Sequence, residues 1–227
     1  MRGHMQGRNL ATIFGAAMAL LCGAPKPATA KIRAATPQSS PAATAAAQAL
    51  AHDEHGGVKI SADAYSSEAR AKEKFGKNNP YNAGILPVEV FIQNETNQPV
   101  RVDLTTIQLE VGIGENGRQD LSPLQVEDVA QLIVHPGGPV NPSVRRFPVG
   151  IPVSSDKKVQ KVADSLRGMQ LSGDIIAPQS TLHGFVFFNM NRDMALAGNS
   201  SLYVPDVVII PQNKPLIFFE VPLGNRG

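Results

Sequence analysis

The apolar residues of this chain occur in short alternating runs between prolines and turn residues, and this spacing restricts its fold more than any other feature. Period-two alternation places every second side chain on one face, as in a half-buried strand. The predicted strands are 58–62, 86–93, 100–104, 107–111, 185–189, 207–210 and 216–221. Many short strands without regular alternation of strand and helix predict an antiparallel β domain.

Helical spacing occurs in two neighbouring segments and one earlier segment. Apolar residues recur at helical intervals over 124–133 and 155–169, and Ser122 with Pro123 predicts a capped helix start. Residues 67–75 also suit a short helix. We therefore expect a mainly β fold with a helical insertion at about 122–170. Its architecture would be an antiparallel β-sandwich decorated by two or three helices.

Residues 1–30 have the features of a secretion signal peptide. Arg2 and Arg8 flank the start of the chain, the apolar run LATIFGAAMALLC follows, and small residues predict cleavage after Ala30. The apolar run has about thirteen residues, whereas a membrane helix needs about twenty. We therefore expect an exported protein, periplasmic or extracellular, whose mature chain has no transmembrane span.

Two alternatives to a cleaved signal remain open at this point. The apolar run could stay in place as an uncleaved anchor, or Cys22 could carry a lipid that holds the protein at the cell envelope. The residue before a lipid-modified cysteine is normally small, and here it is Leu21. This departure favours the soluble exported form.

The composition of the mature chain argues against several classes of protein. Removing the leader's three basic residues from the 21 in the chain leaves 18 bases against 19 acids, a net charge of −1. A near-neutral chain argues against nucleic-acid binding. Because Cys22 is the sole cysteine, the cleaved chain has no disulfide and no cysteine metal site. Tryptophan is absent and aromatic residues are few, which predicts poor platforms for stacking on sugars.

Residues 31–57 predict a disordered tether before a single folded domain at 58–226. The segment is rich in alanine, proline and small polar residues, which bury little apolar surface. His52 and His55 flank two carboxylates near its end and could hold a divalent metal on one helical turn. A solvated linker explains the same residues, since two histidines alone bind metal weakly. We expect no metal site and no cofactor.

Three segments resemble those of exported bacterial sandwich domains of immunoglobulin or telokin-like type. GILPVEVFIQNET at 84–96 is similar to their strand that begins Leu-Pro-Val and ends Asn-x-Thr. APQSTLHGFVFF at 177–188 is similar to a later strand, although it lacks the glycine expected after Pro178. The closing segment 216–223 also fits. The resemblance implies a sandwich fold and no particular function.

No motif in the chain predicts a catalytic site. The glycines of GIGENG at 112–117 have nucleotide-binding spacing, but the next helix begins several residues later, so we expect a glycine-rich loop after a strand. His183 lies near Ser180 and Thr181, yet neighbours on a strand point to opposite faces. We predict no catalytic residue. An exported hydrolase with a site dispersed over loops is one alternative.

The segment 135–153 is the predicted binding loop. It has five prolines and three glycines, and long irregular connections commonly carry function. Its candidate binding residues are His135, Arg145, Arg146 and Phe147. We therefore expect a non-catalytic module that binds a protein partner at the cell envelope. A carrier of a small ligand or metal is the other alternative.

Overall fold

A computed structural model describes residues 50–114, 117–136 and 156–224. This part of the chain holds the helices α1 (Glu68–Phe75), α2 (Val126–Val134) and α3 (Lys157–Arg167). Its strands are β1 (Ala51–His55), β2 (Val58–Ala64), β3 (Ile85–Asn94), β4 (Val100–Val102), β5 (Gln108–Ile113), β6 (Gly117–Leu121), β7 (Ile175–Ile176), β8 (Ser180–Asn189), β9 (Ser200–Val204), β10 (Val207–Ile209), β11 (Lys214–Pro215) and β12 (Phe219–Pro222). Short 3-10 helices occupy Gly76–Asn78, Pro80–Ala83 and Met194–Asn199.

The described strands form three four-stranded sheets. The central sheet has the order β1–β2–β3–β8, the lateral sheet β11–β10–β4–β7 and the outer sheet β12–β9–β5–β6. All neighbouring strands within them pair antiparallel. The prediction of a mainly antiparallel β fold with few helices is confirmed.

Strand β3 is buried on both faces because a different layer covers each of them. All ten of its residues are buried. Successive side chains of a strand point to opposite faces. Leu86 and Val88 pack with the lateral and outer sheets in one apolar core. Ile85 faces the other way and packs with the helices in a second core.

The two cores stabilise the layers on either side of the central sheet. The helical core joins Phe185 and Phe187 of β8 to Phe75 of α1, Val129 of α2 and Leu166 of α3. Each fully buried side chain of this size contributes about 1.5–3 kcal/mol through the hydrophobic effect. The layers are therefore held by apolar packing, and no cysteine lies in the described residues.

Part of the free edge of β8 is covered by the chain that follows α3. Phe185 donates its N–H to Met169 O at 2.8 Å and accepts the N–H of Leu171 at 2.9 Å. A Cβ on Gly184 would lie 2.5 Å from Leu171 N, so this close approach requires glycine. Covering an exposed edge protects it from pairing with other chains.

Proline is tolerated inside β3 because of where β2 ends. The last residue pair between β2 and β3 is Ala64 with Val88. Beyond it, Pro87 accepts the N–H of Tyr65 at 2.9 Å, which places the Pro87 backbone groups on the β2 side of the strand. The missing N–H therefore breaks no ladder bond.

Three sequence predictions are corrected by the structure. Helix α2 begins at Val126 with no side-chain cap, because Leu124 instead donates its N–H to Phe187 O at 2.8 Å. Residues 216–218 are not part of a strand. Residues 51–57 do not belong to a tether, because β1 pairs with β2 over its whole length. The rest of the predicted tether lies outside the described residues.

The glycines at 112–117 belong to a hairpin, as the sequence predicted for a loop after a strand. Gly112 pairs with Arg118 where β5 meets β6.

Within residues 50–114, 117–136 and 156–224, no helix is long and apolar enough to span a bilayer.

Candidate functional site

His135, the one predicted binding-loop residue that the structure describes, joins two helix ends. Its Nε2 lies 3.2 Å from Oδ2 of Asp156. Asp156 caps α3 and accepts the backbone N–H of Lys158 at 2.9 Å. That bond, together with the contact to His135, lowers the pKa of Asp156. Arg145, Arg146 and Phe147 lie outside the described residues.

His52 and His55 do not share the helical turn on which they could have held a metal, because both residues lie in the extended strand β1. Residues three apart on a strand point to opposite faces, so the two rings diverge. His55 instead lies 3.2 Å from Asp53 and packs against the ring of Phe219. Among the described residues, no group of three or more ligating side chains could hold a metal ion.

A cluster of ionisable side chains surrounds Glu89 on the central sheet. The Tyr65 hydroxyl donates to Glu89 Oε2 at 2.8 Å, and Lys74 Nζ donates to Oε1 at 3.1 Å. His183 Nε2 lies 3.5 Å from Oε1. The Glu89 side chain is only 10% exposed, so these partners take the place of most of its hydration.

Aromatic rings support the cations of this cluster. The guanidinium of Arg70 lies 4.6 Å from the centre of the Tyr65 ring and forms a bidentate pair with Asp63. Lys74 Nζ lies 5.0 Å from the centre of the Phe185 ring. Burial, followed by the hydrogen bond to Glu89, raises the pKa of Tyr65 well above its ordinary value. The phenol therefore stays neutral and keeps donating to Glu89.

His183 meets a carboxylate, as the hydrolase alternative requires, but the serine near it in sequence faces elsewhere. Its ring stacks on Phe91 with centroids 5.1 Å apart, on the same face as Glu89. Ser180 lies on the opposite face of β8 by alternation, and its hydroxyl donates to Ala177 O at 2.6 Å. The serine and histidine are therefore not arranged as nucleophile and base.

A second polar region occupies the outward face of the outer sheet. Pairing across β12, β9 and β5 places Pro222, Ser201 and Glu110 in one row. They line an open pocket of about 350 Å³ together with Arg118. The Arg118 guanidinium pairs with Glu110 Oε2 and lies 3.7 Å from Glu220.

Several residues that line this pocket are glycines, which have no side chain to fill it. Gly198 and Asn199, at the end of a 3-10 helix, form one wall, and Gly224 lies against it. A Cβ on Gly112 would lie 2.2 Å from Nδ2 of Asn199, so the carboxamide packs against bare backbone. Four glycines line the cavity in all: Gly112, Gly117, Gly198 and Gly224.

Two polar groups in the pocket have no partner. In the described part of the chain, neither the Ser201 hydroxyl nor the Asn199 carboxamide makes a hydrogen bond. The neighbouring Ser200 hydroxyl, by contrast, donates to Ala197 O at 2.8 Å. The pocket therefore offers both donors and acceptors to a molecule from solution.

An exposed aromatic pair adjoins the pocket. Tyr203 pairs with Glu220 in register, and its ring lies 5.3 Å from that of Phe218. Phe218 is 47% exposed and the neighbouring Ile217 is 66% exposed. We name the set of Glu110, Arg118, Asn199, Ser201, Tyr203, Phe218 and Glu220 the outer face.

Sequence reasoning missed the outer face. Because aromatic residues are sparse, the sequence predicted poor stacking platforms. The pairing of β12 with β9 nevertheless brings Tyr203 beside Phe218. The available signal was the alternation of Ser201 and Tyr203 with apolar Leu202 and Val204. That pattern predicts a strand with one polar face.

Comparisons with known proteins show a structural likeness without a family. No family model and no curated protein matches the chain. A solved structure titled as a functionally unknown protein from Listeria monocytogenes EGD-e matches 77% of this chain and 82% of its own length. The sequence identity is 9% and the TM-score is 0.35.

Proposed function

We propose that this protein is an exported, non-catalytic binding module that works at the cell envelope through its outer face. The observation that carries the proposal is a pair of polar groups in an open pocket, Ser201 and Asn199, that make no hydrogen bond within residues 50–114, 117–136 and 156–224. Ser201 is half-buried and Asn199 is exposed, so water solvates both groups in the free protein. Polar groups that make no hydrogen bond within the fold can pair with a ligand or a partner surface that displaces this water.

Binding fits this pocket better than catalysis. Its ionisable lining consists of Glu110 and Arg118, which pair with each other. None of the four histidines in the described segments lines it. General acid–base chemistry usually needs a group that exchanges protons near neutral pH. Histidine is the residue that most often fills this role.

Export is the second part of the proposal and rests on the sequence of residues 1–30. We propose cleavage after Ala30, with a lipid on Cys22 as the competing form. Mass spectrometry of the N-terminus from the native host separates cleavage before Lys31 from lipid on Cys22.

We also propose that the central sheet packed on the other two sheets is an immunoglobulin-like sandwich. The shared apolar core between these layers supports that architecture.

In-cell photo-crosslinking tests the binding function. A photoreactive amino acid replaces Tyr203 on the outer face or Ile175 on β7, which is 55% exposed and serves as the matched control. We expect discrete products from position 203 that position 175 does not give. Equal labelling from both positions, or labelling from position 175 alone, contradicts the use of this face.

A cavity beside the helices favours the small-ligand carrier as a second candidate. It has a volume of about 280 Å³ and is lined by Leu124, Leu171, Phe185 and Phe187, with polar residues such as Ser122, Gln125 and Gln170 beside them. A mainly apolar lining with a few polar groups suits a small, largely apolar molecule. Thermal stabilisation of the protein by an apolar ligand, abolished in Leu171→Gln, would support this candidate.

A further inference from the structure

We propose that the ligand of the outer face is a neutral saccharide, with one sugar ring stacked on the Tyr203–Phe218 pair and its hydroxyls in the adjacent pocket. This inference rests on the proposed binding function and names its ligand class. A pyranose ring has an apolar face of C–H groups and a rim of hydroxyls. Its recognition therefore needs an exposed aromatic surface beside a group of donors and acceptors.

The aromatic part of that requirement is present on the outer face. Phe218 is 47% exposed, and its ring is tilted 42° from that of Tyr203. Exposed aromatic rings in contact with a ligand bury large areas at little cost in conformational entropy. Tyr203 lies on the same face of β9 as Ser201, two residues farther along the strand, so the rings adjoin the polar pocket.

The pocket supplies the hydrogen-bonding part. Asn199 provides a donor and an acceptor, and Ser201 provides a hydroxyl. A polyhydroxylated ligand satisfies such mixed groups, whereas an apolar ligand would leave them unpaired. The volume of about 350 Å³ is at the small end of the range for ligand pockets.

The charge of the outer face selects a neutral ligand over an anion. Two carboxylates, Glu110 and Glu220, share the single guanidinium of Arg118. The local charge is therefore −1, which repels phosphate, sulfate and uronate groups. Asp120 lies in the same cross-strand row as Glu110 and adds to this repulsion.

To test the inference, the purified protein is titrated with two sets of oligosaccharides, and calorimetry measures the binding. The first set contains neutral hexose and N-acetylhexosamine oligomers, and the second contains uronic-acid and phosphorylated oligomers of equal length. We expect binding from a member of the neutral set and none from its charged counterpart. Binding restricted to the charged set would overturn the inference.

Variants locate the binding on the outer face. Phe218→Ala is expected to weaken affinity about tenfold through lost stacking, and Ser201→Ala about three- to tenfold through a lost hydrogen bond. Ile175→Ala, an equally exposed apolar side chain on β7, should leave affinity unchanged. Thermal melting checks that each variant is folded. Equal affinity in all three variants would contradict this site.

The two proposals fail in different ways. If no saccharide binds while position 203 crosslinks a discrete protein, the saccharide inference is wrong and the binding function stands. If no saccharide binds and position 203 gives no product above position 175, both are wrong. Saccharide binding that Phe218→Ala weakens supports both.

Discussion

Two glutamates on strands of this protein are buried to nearly the same extent but have different surroundings. The side chain of Glu89 on the central sheet is 10% exposed, and that of Glu110 on the outer sheet is 11% exposed. Glu89 accepts hydrogen bonds from Tyr65 and Lys74. Among the described residues, the Glu110 carboxylate has one partner, the Arg118 guanidinium, which pairs with its Oε2.

The difference separates a structural polar cluster from a binding surface. Around Glu89 the protein supplies the partners itself, so the network holds α1 on the central sheet. Around Glu110 the neighbouring hydroxyl of Ser201 and carboxamide of Asn199 make no hydrogen bond to any described residue. Ionisable side chains in contact therefore do not by themselves indicate function. Unsatisfied groups around a cavity are the more informative signal.

Removing Glu89 should cause the largest effect on stability. Glu89→Ala takes away the acceptor of Tyr65 and Lys74 and leaves both without a buried partner. We expect the free energy of unfolding to fall by about 2–3 kcal/mol, measured by urea denaturation.

Glu110→Ala is the matched variant for this comparison. Arg118 is 56% exposed and can be hydrated once its partner is removed. We expect a change below about 1 kcal/mol. An equal loss of stability in both variants would show that the number of hydrogen-bond partners of each glutamate does not distinguish the two sites. Glu89→Gln, which keeps an acceptor for Tyr65, should recover part of the loss.

Tyr65→Phe should have an intermediate, pH-dependent effect. At neutral pH the variant loses one hydrogen bond to a carboxylate, which lowers the free energy of unfolding by about 1 kcal/mol. The folded protein raises the pKa of Tyr65, so above about pH 10 the unfolded chain loses its phenol proton first. The wild-type protein therefore becomes less stable as pH rises there.

The measurement is denaturation of wild type and Tyr65→Phe from pH 7 to 11. Because the contribution of the Tyr65 phenol is full below its unfolded pKa and declines above it, the stability difference should narrow above about pH 10. Tyr203→Phe is the control, since Tyr203 lies on a different sheet. A constant difference across the range would contradict the role of the Tyr65–Glu89 bond.

Sequence periodicity predicted the parts of the fold that local chemistry determines. The alternation over 86–93 predicted β3, and the serine and glycine around 67–76 matched α1, whose N-cap is Ser67 and whose C-cap is Gly76. Helix α3 was predicted within two residues at each end. These elements carry their signals in their own side chains, so no distant contact is needed to recognise them.

Elements that depend on distant partners were missed. Strand β1 has a polar sequence and becomes ordered by pairing with β2, while Asp53 Oδ2 accepts the N–H of Glu220 at 3.0 Å. Strand β6 has charged, exposed residues and exists through β5. The outer face combines β5, β6, β9 and β12, which are far apart in sequence. Single-sequence patterns do not contain that pairing.

The smallest expected effect is also the sharpest test of the comparison, because it contrasts two adjacent serines. Ser200→Ala removes a buried hydroxyl that donates to Ala197 O and should lower the free energy of unfolding by about 1 kcal/mol. Ser201→Ala removes an unpartnered hydroxyl and should change it by less than about 0.5 kcal/mol. Urea denaturation of both variants measures the contrast. A larger loss of stability in Ser201→Ala would mean that the Ser201 hydroxyl stabilises the fold. The main evidence that the outer face binds a ligand would then be removed.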